Sequence, residues 1–463
     1  MPIEDLRPAL ARSGSLIALA LLLLILQACG GDGGPGRLDV VAPQAELRPA
    51  RPGSTYASEL IDCARVFNRG GNNNHAFCTL ERLPLLGQER ETLTPEAVLE
   101  RTLVSDDWMA QRFEQALRAQ PDELLQLFKG VTAVVIGADI RPSYYWLSTG
   151  AIYLDPARLW LNIAERDTIS EAPDYRSDFD RELDFDVLWR YVRDGDYAWR
   201  NAPLSGPGQS RELEQILAPL AALLFHELAH ANDYLPPSEQ PNLDMSLTPA
   251  QAASRVQSAS ISAALARDYP LSSELMMDLA EVMYQGRDAT EQEQQLTAQE
   301  VGLNFSQDTA SDSYSYVTAS RTLFLEDTAM LFEEVMMQYH FDVTRELAFT
   351  DRPDSDNASC NDFTVRWGQR GRVGHDSLKP RATLALQLLL DQNDVQTHLA
   401  NLPDPEPLTE GLGWCANLSP AAIGVHAAPG MPLVEPLPEQ DRRHSGGHPH
   451  HANHQSRTEY QRR

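Results

Sequence analysis

Lysine is almost missing from this chain. Lys129 and Lys379 are the only two, so Arg makes up nearly all of the 38 basic residues, set against 66 acidic ones. The formal net charge of −28 excludes a nucleic-acid partner held by a basic face. It also excludes attachment to anionic lipid by charge alone. No two Cys stand at C-x-x-C spacing, which argues against a thiolate zinc site. Trp367-Gly-Gln-Arg-Gly371-Arg-Val-Gly374 lacks the Walker lysine and has the wrong glycine spacing for a dinucleotide loop, so it reads as a structured loop. Arg370 and Arg372 within it are candidates for a substrate carboxylate. No internal repeat is visible.

The two ends differ from the middle. Arg7 and Arg12 precede an apolar run, Leu16 to Leu26, too short and too near the N-terminus for a membrane span. A basic start, a short apolar core and small residues at the cut make residues 1–28 a secretory signal. Leu26-Gln27-Ala28-Cys29 resembles the lipobox of bacterial lipoproteins. The resemblance implies that Cys29 carries the lipid and anchors the protein to a membrane outside the cytoplasm. Gly30 after it points to the outer membrane, on its periplasmic face or at the cell surface. Residues 29–55 are rich in Gly, Pro and Arg and read as a flexible tether. Residues 426–463, with His444, His448, His450, His451 and His454, read as a solvated tail able to gather metal weakly.

Between the ends, residues 56–425 have the apolar content of a globular domain. Apart from Cys29, four Cys remain: Cys63, Cys78, Cys360 and Cys415. An even number in an exported chain implies two disulfides. Sequence order favours Cys63–Cys78 and Cys360–Cys415, though three pairings are open. Helices are expected over 94–129, where Thr94-Pro95-Glu96 makes a cap. A short amphipathic helix is expected over 184–193 and a long apolar one over 211–232, with a fresh start at Pro219. More helices are expected over 271–345 and 381–399. Val131 to Ile140 and Ala151 to Leu154 read as strands. Strands before a long helical half predict an α+β fold.

The chemistry is carried by Leu223-Leu-Phe-His226-Glu227-Leu-Ala-His230. Residues four apart share a helix face, so both imidazoles can reach one Zn²⁺. Glu227 then stands beside the metal, where its carboxylate can take a proton from a zinc-bound water and pass it to the leaving amine. Two His and a Glu in an apolar helix are costly without partners; the competing reading is a hydrogen-bonded pair of core histidines.

This stretch resembles the zincin metallopeptidases, except that Asn232 stands two after His230 where they are usually apolar. The metzincin pattern fails at Asp233 and Pro236. Glu326-Asp-Thr-Ala329-Met-Leu-Phe332 is similar to the third-ligand helix of gluzincins. That match implies Glu326 as the third ligand, with Glu333 or Glu334 as alternatives. Many relatives place a supporting carboxylate four residues on, but here Met330 stands there, which leaves Asp327 and Glu333 as candidates for the role. Ser148-Thr-Gly150-Ala-Ile-Tyr-Leu-Asp155 looks like the edge strand that pairs with substrate in zincins. Tyr314 and Tyr316 are candidates for stabilising the oxyanion, and Tyr316 is the one taken forward. The resemblance thus implies a zincin-like, small mixed sheet and a zinc-dependent peptidase with a peptide or protein substrate. A non-catalytic zincin-fold binding lipoprotein, or a periplasmic zinc-storage or delivery protein, is the alternative.

Overall fold

A computed structural model describes residues 45–65, 77–172, 176, 179–200, 210–317, 323–355, 358–390 and 392–418. The expected signal, Cys29, the first part of the tether and the His-rich tail lie outside them. Two five-stranded sheets and a set of helices make an α+β molecule. None of its described helices is long and apolar enough to cross a membrane.

The first sheet has the order β1-β2-β3-β5-β4: β1 Arg48–Pro49, β2 Thr102–Val104, β3 Ala133–Ile136, β4 Tyr144–Trp146 and β5 Ala151–Leu154. β2, β3 and β5 run parallel, with β1 and β4 antiparallel at the edges. Alternation along β3 and β5 divides the molecule. Val134, Ile136, Ile152 and Leu154 enter the main core, while Ala133, Val135, Ala151 and Tyr153 pack with Leu60, Cys63 and Leu83 on the other face. Gly150 makes the turn into β5 at φ +69°, and a Cβ there would come within 2.8 Å of Thr132 Cγ2.

Several expectations are corrected here. The tether gives way to ordered chain before residue 56, because Arg48–Pro49 pair with Leu103 and Val104. The helical region 94–129 is interrupted by β2. The Thr94 cap is present, its side chain accepting from the Ala97 N–H at 3.3 Å. The 151–154 strand is interior, flanked by β3 and β4, so the antiparallel edge belongs to β4.

The second sheet is antiparallel throughout, in the order β10-β9-β8-β6-β7: β6 Phe185–Arg193, β7 Asp196–Tyr197, β8 Thr344–Asp351, β9 Val365–Arg370 and β10 Glu406–Pro407. Residues 184–193 were expected to be helical and are instead the strand β6. Phe185, Leu188, Trp189 and Val192 fit a helical period, but Phe185 to Val192 pair residue by residue with Asp351 to Thr344. That distant partner supplies a full ladder of hydrogen bonds to a run rich in Val, Trp and Tyr. The 367–374 segment is likewise mostly strand, ending in a turn at Arg372–Gly374. Arg370 pairs with Glu346 at 2.5 Å, and buried Arg372 donates to the carbonyls of Ala310, Phe305 and Asp308. Both guanidinium groups are thus engaged within the fold. The expected 381–399 helix is two, Lys379–Leu389 and Asn393–Ala400.

Both disulfides follow sequence order, Cys63–Cys78 and Cys360–Cys415. The second spans 55 positions and ties the Trp414 segment over Leu188, Ala348 and Val365. Replacing Cys360 and Cys415 by Ser is expected to lower the unfolding free energy by about 4 kcal/mol through the freed loop. An unchanged urea midpoint would contradict this.

Candidate metal centre

The His226 helix, Leu213–Tyr234, begins at a box in which Gln215 Oε1 accepts from the Glu212 N–H at 2.8 Å. It continues through Pro219 without a fresh start. From Pro219 to Tyr234 nearly every residue is buried, the behaviour of a helix that is apolar all round. Its main partner is the Leu325–Phe341 helix, met through Phe225 and Phe332 with ring centroids 6.0 Å apart. That second helix joins the two cores: Met330 packs with the second sheet's cluster, while Leu331, Phe332 and Val335 pack with the first.

Where the two helices face each other, His226, His230 and Glu326 come together. Glu326 Oε2 lies 3.1 Å from His226 Nε2 and 3.2 Å from His230 Nε2, and the two Nε2 atoms are 3.2 Å apart. The three residues are 3–5 % exposed. Burial alone would raise the Glu326 carboxyl, but the charge of His230 and hydrogen bonds from both imidazoles hold it well below the usual carboxylate range.

Glu333 lies two turns along from Glu326 on the same helix face. Its Oε2 is 3.0 Å from His226 Nδ1, so the two carboxylates bracket one ring. If the neutral ring donates its Nδ1–H to Glu333, the lone pair of Nε2 points at Glu326 and His230. With a cation in place of any proton on His230 Nε2, three electron-rich atoms converge on one point. Ligands about 2.0–2.1 Å from a tetrahedral zinc ion sit roughly 3.3 Å from one another, close to the spacings found. The donor set therefore fits a small divalent cation.

The neighbouring candidates separate. Glu227 is 6 % exposed on the same helix. Asp327 turns away to Arg381, 2.5 Å distant, and of the two it is Glu333 that reaches His226. Tyr316 is 1 % exposed and packs on Phe305, with its phenol among Asp308, Arg372 and Asp327. Tyr314 is the one beside the centre, its ring 6.2 Å from that of His226 and 27° from parallel. The sequence carried no signal to choose between them, because the 3₁₀ turn Ser313–Tyr316 decides which of the two rings lies against His226.

Asn232 and Asp233 acquire structural explanations. Asn232 Nδ2 donates to the carbonyls of Leu127 and Leu228, both at 2.8 Å, and Oδ1 accepts from Gln240 Nε2 at 3.1 Å. Gly130 lies so close that a Cβ there would stand 2.7 Å from Asn232 Oδ1. Asp233 Oδ1 accepts from the Ser262 N–H at 2.9 Å, at the start of the Ile261–Asp268 helix. Burial pushes its carboxyl up to about 6, against the opposing pull of Ser262 and His230.

Comparison of the chain with family models, with curated proteins and with solved structures returns no match.

Proposed function

We propose that this chain is a zinc-dependent peptidase of the HExxH type, with His226, His230 and Glu326 as metal ligands and Glu227 as general base. The observation that carries the reading is the convergence of two imidazole Nε2 atoms and one carboxylate oxygen at 3.1–3.2 Å from one another. A bound zinc ion would supply Lewis acidity and lower the pKa of water at the site. The chain's own residues do the rest. Glu227 accepts a proton on its carboxylate and delivers it to the leaving amine. Glu333 holds the His226 tautomer through Nδ1. Tyr314 takes over from Tyr316 as the candidate donor to the developing oxyanion, because its ring lies 6.2 Å from that of His226.

The gluzincin-like resemblance around Glu326 and the antiparallel edge strand β4 are consistent with a zincin-like arrangement in which a peptide or protein substrate adds to a sheet edge. The lipobox-like segment at Cys29 supports export and lipid anchoring at the outer membrane. The burial of every ligand favours one second reading, a zinc-holding lipoprotein that catalyses nothing.

The test is metal content by mass spectrometry on the full chain beside Glu326→Ala, the tail histidines being common to both. One tightly held zinc is expected in the wild type. The variant should bind it more than about a hundredfold less tightly, since even residues that only support ligands are worth about 10–100-fold. Equal zinc in both proteins would move the third ligand elsewhere, and none in either would end the enzyme reading.

A further inference from the structure

Behind His226 lies a cluster of buried charge from which the proposed hydrolysis uses Glu333 alone. Arg345, on β8, is buried with its guanidinium 4.2 Å from the centre of the Trp189 ring and 5.5 Å from that of Tyr191. Its Nε and Nη2 donate to Asp312 Oδ2 at 2.9 and 2.5 Å. Its Nη1 stands 3.7 Å from Glu333 Oε1, and its Nε 3.7 Å from Glu334 Oε1. The Tyr191 hydroxyl donates to the same Glu333 oxygen at 3.0 Å.

Two of these contacts lead on to one imidazole. Glu333 reaches His226 Nδ1 through its other oxygen at 3.0 Å. Asp312 accepts the Tyr314 N–H through Oδ1 at 2.8 Å, which starts the turn that sets the Tyr314 ring against His226. A buried ion cluster can be purely structural, and a guanidinium taken out of water is not by itself stabilising. Here, however, the arms end on His226 from two separate elements. A planar fork hydrogen-bonds Asp312 through Nε and Nη2 while Nη1 keeps its charge 3.7 Å from Glu333 Oε1, a span that a compact ammonium cannot match.

We propose that Arg345 is a positioning residue for His226: it fixes Glu333 on Nδ1 and Tyr314 on the ring face, so that Nε2 is aimed at His230 and Glu326 before a metal arrives. The inference rests on the metal-site reading above and concerns affinity and ligand geometry, not a chemical step.

The experiment uses the full chain and two variants, Arg345→Lys and Tyr191→Phe. The readouts are zinc affinity by competition with a chromophoric chelator, the visible spectrum of the cobalt(II) form, and urea stability of the metal-free protein. Arg345→Lys is expected to weaken zinc by about 10–100-fold and to alter the cobalt bands. Tyr191→Phe, which removes one hydroxyl from Glu333, should shift affinity in the same direction by a smaller factor. A wild type without tight zinc defeats the metal-site reading itself. Tight zinc in the wild type with unchanged affinity and spectra in both variants overturns the role of Arg345 alone. So does a loss of metal-free stability with zinc affinity intact. Should Arg345→Lys fail to fold, Tyr191→Phe decides: weakened zinc supports the role, and wild-type affinity overturns it.

Discussion

Glu227→Gln is expected to keep one zinc ion per chain while peptide hydrolysis falls by roughly 10²–10⁴-fold, the usual contribution of a positioned general base. The amide has nearly the volume of the carboxylate and can still hydrogen-bond, so the buried helix should be undisturbed. What it cannot do is accept a proton. The proposed ligands His226, His230 and Glu326 are separate side chains with their own contacts, so metal binding should survive. Zinc titration and a peptide-library assay on the same preparation check both halves. Activity within tenfold of wild type would place the base elsewhere. Loss of zinc together with activity would make Glu227 a structural residue, and a wild type that holds zinc but cleaves nothing would favour the zinc-holding alternative.

The second large effect is a pH dependence of stability built into the charge cluster. Glu334 is fully buried, and burial pushes its carboxyl up to about 8 from the ordinary 4.5; Arg345 pulls it down, while Asp312 and Glu333 push it up. The folded protein therefore keeps a proton that the unfolded chain releases near 4.5. The contribution is fully present below that value and is lost as pH rises through about 8. At about 1.4 kcal/mol for each pH unit of displacement, the loss across that window is at most about 5 kcal/mol.

Asp233 and Asp327, both pushed up to about 6 by burial, act with the same sign at lower pH. His340 and His398, held below the ordinary imidazole range by burial, act with the opposite sign but alike in both proteins, so the difference between wild type and Glu334→Gln over roughly pH 6.5 to 8 isolates Glu334. Urea unfolding of metal-free protein should show the wild type weakening across that interval and Glu334→Gln staying nearly level. The variant should be the more stable of the two at pH 8. Parallel slopes for the two proteins would refute the assignment.

Legibility in the sequence followed the range of the interactions involved. The Leu213–Tyr234 helix was readable because its apolar positions, the 226/230 spacing and its partners within a turn are all local. β5 was readable as a strand from Ala151-Ile-Tyr-Leu between Gly150 and Asp155-Pro156, but not as an interior one. Strand order is set by which distant segments pair, and β3 and β4 flank it. β6 was misread because its apolar residues satisfy two periods at once. Only β8, lying beyond the Leu325–Phe341 helix, settles which period is used. β1 was lost in a stretch of Pro and Arg whose composition resembles a linker.

By itself the sequence put forward His226 and His230 from their spacing and Glu326 from its resemblance to the gluzincin third-ligand helix, and the fold brings these three side chains together. Sequence order also favoured Cys63–Cys78 and Cys360–Cys415, with three pairings open until the fold brought those two together. Tertiary structure decided the rest. It placed Glu333 rather than Asp327 on His226, turned Tyr314 rather than Tyr316 toward the ring, and brought Arg345 from a second sheet to stand behind both. Each depends on which face of one element meets another across long separations. Such a choice is made by the packing of two cores around a shared helix, which no local pattern encodes.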